Sequence, residues 1–388
     1  HALVNLVSKI SKILDRGEYA CSLFLDLQKA FDTVNQNILL QKLEVYGIRG
    51  VCLSWFSSYI IGRKQFVTIE DDSSKICSMD YGVPQGSVLG PLLFLVYIND
   101  FHMCLSSGFA QHFADDTVIS FRGLSPKCLQ LPITHEISKI FNWLCANRLS
   151  LNAAKTEILL YYPKRKCCGG RLILKIKNKR IYLSSKVKYL GVVLDSRLSW
   201  KFHFSELSKK LTRAIGLLSK VLYYVDEITI KSLYHSLFHS HLTYGCLAWG
   251  LANKNVIGKI SALQKRAIRI ITFSCNSVPT SNLFSKLEIM KLEDAITLNL
   301  PLFMHDWHWK RLPKSLDTLF NFYSSKVKTR ASEMLKLSLP VRRTEVYGSR
   351  NIKFIGAVLY NHLHDINIKI ADSKYMFRKK IKALLVSK

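Results

Sequence analysis

The adjacent acids Asp115 and Asp116 stand between two short apolar runs, one ending in Phe113-Ala114 and the other running Thr117-Val118-Ile119-Ser120-Phe121. Two such runs joined at turn-forming residues predict a β-hairpin with the acid pair at its bend. Neighbouring carboxylates repel, so a fold that keeps them side by side needs a compensating charge, and a divalent cation is the natural one. An acid pair in a turn is ordinarily just solvated. Its meaning depends on what lies upstream.

Upstream, Ser22-Leu23-Phe24-Leu25-Asp26-Leu27 is an apolar strand interrupted by one carboxylate. Strands disfavour Asp and burial penalises its charge, so Asp26 needs a partner, and metal is a good one. If this strand lies beside the hairpin, Asp26 and Asp115 can bridge two cations about 4 Å apart, the spacing for in-line phosphoryl transfer. Mg²⁺ suits such an all-oxygen site. Between the acids lies Gly82-Val83-Pro84-Gln85-Gly86-Ser87-Val88-Leu89-Gly90-Pro91. Its glycines let backbone approach a ligand just ahead of a helix start.

Helical spacing of apolar residues predicts helices over 2–14, 35–46, 51–61 and 132–147, and a buried helix over 88–98. Strands are predicted over 21–27, 65–69, 76–81, 157–162, 172–176 and 188–194. Asp32 reads as the cap of the helix that follows the first strand. The pattern is α+β, with helices on one face of a mostly antiparallel sheet, and from Trp200 onward it is nearly all helical and basic.

A formal charge of +29, from 56 Lys and Arg against 27 Asp and Glu, points to a polyanionic partner, nucleic acid first and an anionic membrane surface second. Residues 1–200 carry a net +10 and residues 201–388 a net +19. Acidic chemistry is therefore expected in the first half and phosphate-gripping capacity in the second. Ten cysteines without a C-x-x-C pair fit neither a disulfide framework nor a zinc finger, so a reducing intracellular setting, nucleus or cytoplasm, is expected. The apolar run 88–98 is too short to span a bilayer, and no charged-then-apolar leader opens the chain, so neither a membrane partner nor secretion is expected. His235, His239 and His241 lack a neighbouring Cys or carboxylate to complete a zinc site.

Asp26 with Ala30-Phe31-Asp32, then Pro84-Gln85-Gly86-Ser87, then Phe113-Ala114-Asp115-Asp116 form an ordered set. In that order they resemble the reverse transcriptases of non-LTR (LINE-type) retrotransposons, closest to the Jockey and chicken-repeat-like groups. The resemblance implies a right-hand polymerase: a palm with partial fingers over 1–199, a helical thumb-like region over 200–275 and a basic, mostly helical C-terminal region over 276–388. It implies Asp26, Asp115 and Asp116 as ligands of two Mg²⁺ ions, with Mn²⁺ as a substitute. Phe31 would be the steric gate against a ribose 2′-hydroxyl. Gln85 and Gly86 would line the nucleotide and template side of the pocket, and Lys155 would be a general acid toward pyrophosphate.

Tyr189-Leu190-Gly191-Val192, with Asp195, Leu198 and Trp200, resembles the family's primer-holding hairpin. Ser240-His241-Leu242-Thr243-Tyr244-Gly245 with Trp249, and Leu263-Gln264-Lys265-Arg266-Ala267-Ile268-Arg269, resemble the region that follows it. The implied activity is RNA-directed DNA synthesis, and the implied partners are template RNA, a DNA primer or target and dNTPs. A second reading is a truncated, catalytically inactive element copy that only binds RNA. A third is another right-hand polymerase, of the group II intron or telomerase kind. The final segment, 375–388, spaces Phe377, Ile381 and Leu384 as on a helix among Arg378, Lys379, Lys380 and Lys382. That pattern suits RNA or membrane, with RNA preferred.

Overall fold

The computed structural model describes residues 1–167, 172, 174–176, 179–323, 336–365, 370 and 373–386. Cys168, Ile173 of the expected strand 172–176, and Ser387-Lys388 of the final basic segment lie outside the described residues. The chain divides into two compact units, Glu18–Ser185 and a second formed by His1–Gly17 with Lys186–Lys388. The first helix, α1 (Ala2–Asp15), belongs to the second unit.

Within Glu18–Ser185 the elements run β1 (Tyr19–Leu25), α2 (Gln36–Val45), α3 (Val51–Ile60), β2 (Arg63–Gln65), β3 (Thr68–Ile69), β4 (Asp72–Ser73) and β5 (Cys77–Met79). There follow α4 (Leu89–Ile98), β6 (Phe109–Phe113), β7 (Asp116–Gly123), α5 (Pro126–Ala146), β8 (Glu157–Tyr161), β9 (Leu174–Ile176) and β10 (Lys179–Ile181). Strands β6, β7, β1 and β8 form one sheet in that order, and every neighbouring pair is antiparallel. Alternation along β1 sends Cys21, Leu23 and Leu25 to a core with Leu39 and Leu43 of α2, Phe94 and Tyr97 of α4, and Ile137, Ile140 and Leu144 of α5. Burial of each such side chain stabilises by about 1.5–3 kcal/mol. On the opposite face, Ser22 and Ser120 satisfy each other through an Oγ···Oγ contact of 2.7 Å.

Tyr97 ties three helices together: its hydroxyl donates to the Asn147 carbonyl at 2.6 Å and accepts from the Asn35 amide at 3.3 Å. Its carbonyl accepts from Lys42 of α2 at 2.6 Å. The expected strands 65–69 and 76–81 are two nested ladders, β2 with β5 and β3 with β4. Helix α4 is not buried all round. Leu93, Phe94 and Tyr97 are in the core, whereas Val88 just before it is 93% exposed and Leu92 56%. Helix α5 begins six residues ahead of the expected start, because Ser125 caps it and Pro126 occupies its first position, leaving Pro132 inside the helix.

The second unit opens, after α1, with the hairpin β11 (Lys186–Tyr189) and β12 (Val192–Asp195), where residue spacing predicted one strand and the resemblance implied a hairpin. Leu190, at φ 45°, and Gly191, at φ 76°, make its bend. Helices follow: α6 (Lys201–Val221), α7 (Glu227–Leu233), α8 (Ser240–Thr243), α9 (Cys246–Trp249), α10 (Lys254–Ile271), α11 (Thr280–Lys286), α12 (Leu292–His308), α13 (Ile352–Asp365) and α14 (Lys374–Val386). Among the described residues no helix is long and apolar enough to cross a membrane.

Asp195 accepts from the amides of Arg197, Ser199 and Trp200 at 2.9–3.0 Å, turning the chain from β12 into α6. The Tyr244 hydroxyl donates to the Leu190 carbonyl at 2.8 Å, so the Ser240–Gly245 motif holds the bend of the β11–β12 hairpin. In α14 two of the three apolar residues spaced as on a helix are core: Phe377 is fully buried, 5.0 Å from the His305 ring of α12, and Ile381 is 4% exposed, whereas Leu384 is 40% exposed. Phe377→Ala should therefore cost about 3–5 kcal/mol of stability, read as a lower denaturant midpoint. A midpoint equal to wild type would show that this stripe is free for a ligand.

Candidate active site

The register of β1 against β7 pairs Leu25 with Thr117. Just past the end of this ladder, Asp26 lies close enough for its charge to act on Asp116. On the far side of Asp116, β6 pairs Phe113 with Asp116, so Ala114 and Asp115 are a two-residue hairpin turn. Ala114 takes φ 52°, the sign that such turns need at their first central position. A left-handed conformation at a non-glycine residue costs about 1–2 kcal/mol, strain held by the strand pairing on either side.

The Asp116 carboxyl is raised above its ordinary range, first by partial desolvation, then by the charges of Asp115 and Asp26. Nothing on the same hairpin neutralises the group. His112 is pushed down to about 4, by burial first and the charge of His102 second, and so is uncharged at neutral pH. It shares a 2.9 Å hydrogen bond with the Thr117 hydroxyl. Among the described residues no three carboxylate, His or Cys side chains converge closely enough to hold an ion as they stand. The three acids nonetheless share one field and offer only oxygen donors, the donor type that Mg²⁺ takes.

The other candidate residues gather around the start of the chain's first loop. The Val83 amide donates to the Phe31 carbonyl at 2.9 Å and the Gly82 amide to the Val34 carbonyl at 2.8 Å. At Gly82, φ +84°, a Cβ would stand 2.9 Å from the Asp32 backbone, so only glycine permits this approach. The Gln85 amide donates to Asp32 Oδ1 at 2.8 Å. Asp32 thus orients Gln85, while the helix cap predicted for it belongs to Asn35, whose side chain accepts from the Ile38 amide. Gly86 is exposed, with open space where a side chain would stand. The half-buried Phe31 ring rests against Phe94, centroids 4.6 Å apart.

Lys155 reaches the same neighbourhood only through its backbone. The Asn152 amide donates to the Asp26 carbonyl at 2.8 Å, and Asn152 in turn receives the Lys155 amide, so this loop is pinned to the chain at Asp26. The Lys155 side chain is exposed. Asn152 was not singled out in the sequence; an Asn three residues ahead of the lysine in a turn was the available signal. Tyr189, Leu190 and Gly191 fall in the other compact unit.

Residues 3–194 match the family model described as reverse transcriptase (RNA-dependent DNA polymerase). They belong to the reverse transcriptase family. The match runs from α1 to β12 and includes every candidate residue of the site. The chain is 28% identical over 301 residues to the probable RNA-directed DNA polymerase from transposon X-element of Drosophila melanogaster, covering 76% of this chain and 33% of that protein. It is 26% identical to the RNA-directed DNA polymerase from mobile element jockey of Drosophila funebris, with the same shares covered. The probable RNA-directed DNA polymerase from transposon BS of Drosophila melanogaster is 26% identical, with 76% and 34% covered. The chain spans about a third of the length of these curated relatives. The expected kinship with Jockey-type elements agrees with these matches. Among solved structures, apo telomerase from Candida tropicalis is similar at a TM-score of 0.41 and 14% identity over 76% of this chain and 50% of that one.

In this reverse transcriptase domain the acid cluster is a local cost. With its carboxyl raised in the folded state, Asp116 binds more protons folded than unfolded just above the ordinary aspartate range, so stability falls as pH rises through that window. Asp116→Asn should raise metal-free stability at neutral pH by about 0.2–1 kcal/mol, the size of a cross-strand like-charge pair. Thermal melts in chelator check it: the gain should vanish below the carboxylate range, where wild-type Asp116 is itself protonated.

Proposed function

We propose that this chain is the polymerase portion of a non-LTR retrotransposon protein, extending a DNA 3′-end on an RNA template with dNTPs. The observation that carries the reading is the meeting of Asp26 with the Asp115-Asp116 hairpin at one end of the β1–β7 ladder, where the charges of Asp26 and Asp115 both bear on Asp116. Asp26, Asp115 and Asp116 would hold two Mg²⁺ ions, or Mn²⁺ in their place. Bound there, the ions supply activation of the primer 3′-hydroxyl and neutralisation of the pyrophosphate charge.

The chain's own residues position the substrates. Phe31, braced by Phe94, would be the gate against a 2′-hydroxyl. Gln85, oriented by Asp32, and the open backbone at Gly86 line the nucleotide and template side. Lys155, exposed on a loop tied to Asp26, is the candidate donor of a proton to pyrophosphate. In this reading residues 1–199 are palm and partial fingers, 200–275 a thumb-like region and 276–388 a basic region that grips nucleic acid, and the protein works inside the cell.

Primer extension on poly(rA)/oligo(dT) tests the reading directly. Asp115→Asn should lower synthesis by about a thousandfold or more, since a misplaced metal forfeits several kcal/mol of transition-state stabilisation. RNA binding should persist. Synthesis at the wild-type rate in Asp115→Asn would remove the metal assignment, and a wild-type chain that binds RNA without extending the primer would favour the inactive copy. Phe31→Ala should keep dNTP incorporation while raising ribonucleotide incorporation by about ten- to a hundredfold, the range for one steric contact in a pocket. Unchanged discrimination would make Phe31 plain packing.

A further inference from the structure

The second compact unit contains a cleft with a volume of about 440 Å³, within the size range of ligand sites. It lies between α1 and the segment that leads into α13, and every residue lining it belongs to this one unit. Five cations line it: Lys12, Arg16, Arg342, Arg343 and Lys353, against the single carboxylate of Asp15.

Asp15 forms an ion pair with none of them and leaves an excess of four positive charges. Its oxygens accept from the amides of Arg343, at 3.0 Å, and Thr344, at 2.7 Å, and from the Thr344 hydroxyl at 2.6 Å. The carboxylate is 8% exposed and packs so closely on Gly348 that a Cβ there would stand 2.6 Å from Oδ1. It serves as an anchor for the cleft wall, a π-helical turn over Glu345–Ser349. Such turns occur disproportionately at functional sites. Arg342 is held in place by Ser349, 3.1 Å away, and by the Phe354 ring, 4.5 Å beneath its guanidinium.

Lys12, Arg16, Arg343 and Lys353 have no carboxylate partner among the described residues. Lys353 and Lys12 repel each other: the Lys353 amine is lowered from its ordinary value, by burial first and by the charge of Lys12 second. A concave surface that gathers like charges and spends its one acid on backbone amides is built to receive an anion.

From this geometry we infer that the cleft is a second nucleic-acid contact, outside the carboxylate site, that takes the phosphodiesters of a single strand between Lys12 and Lys353. The polymerase reading enters only in the choice of a nucleic-acid strand over another polyanion. A chain with a net charge of +29 has the long-range field to draw such a strand in.

The test uses the full chain carrying Asp115→Asn, so that DNA synthesis plays no part in the readout. Binding of an unstructured RNA oligomer is followed by fluorescence anisotropy across a salt series. Lys12→Gln with Lys353→Gln should lower the slope of log affinity against log salt by about 1.4, from about 0.7 per phosphate contact. Lys12→Arg with Lys353→Arg should keep the wild-type slope. Arg122→Gln with Lys127→Gln, an equal charge change on the other compact unit, should leave it unchanged. An unchanged slope in the Gln pair overturns the inference, as does an equal drop in the Arg pair or in the control pair. So does a Gln pair that loses binding to phosphatidylserine vesicles while its RNA slope holds, which would make the cleft a lipid site.

Discussion

The register of β1 against β7 governs both the core and the site. One residue of slip would turn Cys21, Leu23 and Leu25 away from α2, α4 and α5 and would move Asp26 from beside Asp116. The packing that stabilises the first unit is thus the same choice that assembles its acids. On the other edge of β1, pairing with β8 and the hydrogen bond from the Asn152 amide to the Asp26 carbonyl fix the strand end from the opposite side. A carboxylate cluster with no ion-pair partner among the described residues is tolerable there because the seven-residue ladder and the apolar core beneath it are held independently of the acids.

What the sequence disclosed, and what it hid, follows the range of the forces involved. Strand β1, the Asp115-Asp116 bend and the helix over 36–45 announce themselves through local alternation, turn chemistry and helical spacing, and they stand within a residue or two of expectation. The start of α5 was hidden by Pro132, read as a first-turn residue when Ser125-Pro126 already supplied the cap. The division of α4 into a buried and an open face was hidden because an all-apolar run carries no periodicity. Phe377 and Ile381 show the converse: an amphipathic pattern says that part of a face is covered, and here the cover is the protein's own α12, which leaves Leu384 exposed.

The loop from Gly82 to Gly90 makes the same point within the site. Its glycines were legible as places of close approach, though the partner they approach is protein. Gly82 lies against the backbone of Asp32, and Gly90 stands where a Cβ would come within 2.4 Å of the Pro84 carbonyl. Only Gly86 faces open space. Two of these glycines therefore build the loop, and the third leaves its backbone open. That division needed the long-range contact of residues 31–34 with 82–83, which no local pattern encodes.

Unbalanced charge is the feature the two units share, with opposite sign. At the end of β1 three acids meet a hairpin whose nearby His112 is kept neutral by burial, while its arginine, Arg122, stands at the far end of β7. In the cleft beside α1, cations gather around an acid whose oxygens are committed to backbone amides. A protein that needed only to fold would pair such groups, since each unpaired cluster lowers stability. In the function proposed above, both clusters would meet ligands of the opposite charge: cations at the acids and strand phosphates in the cleft.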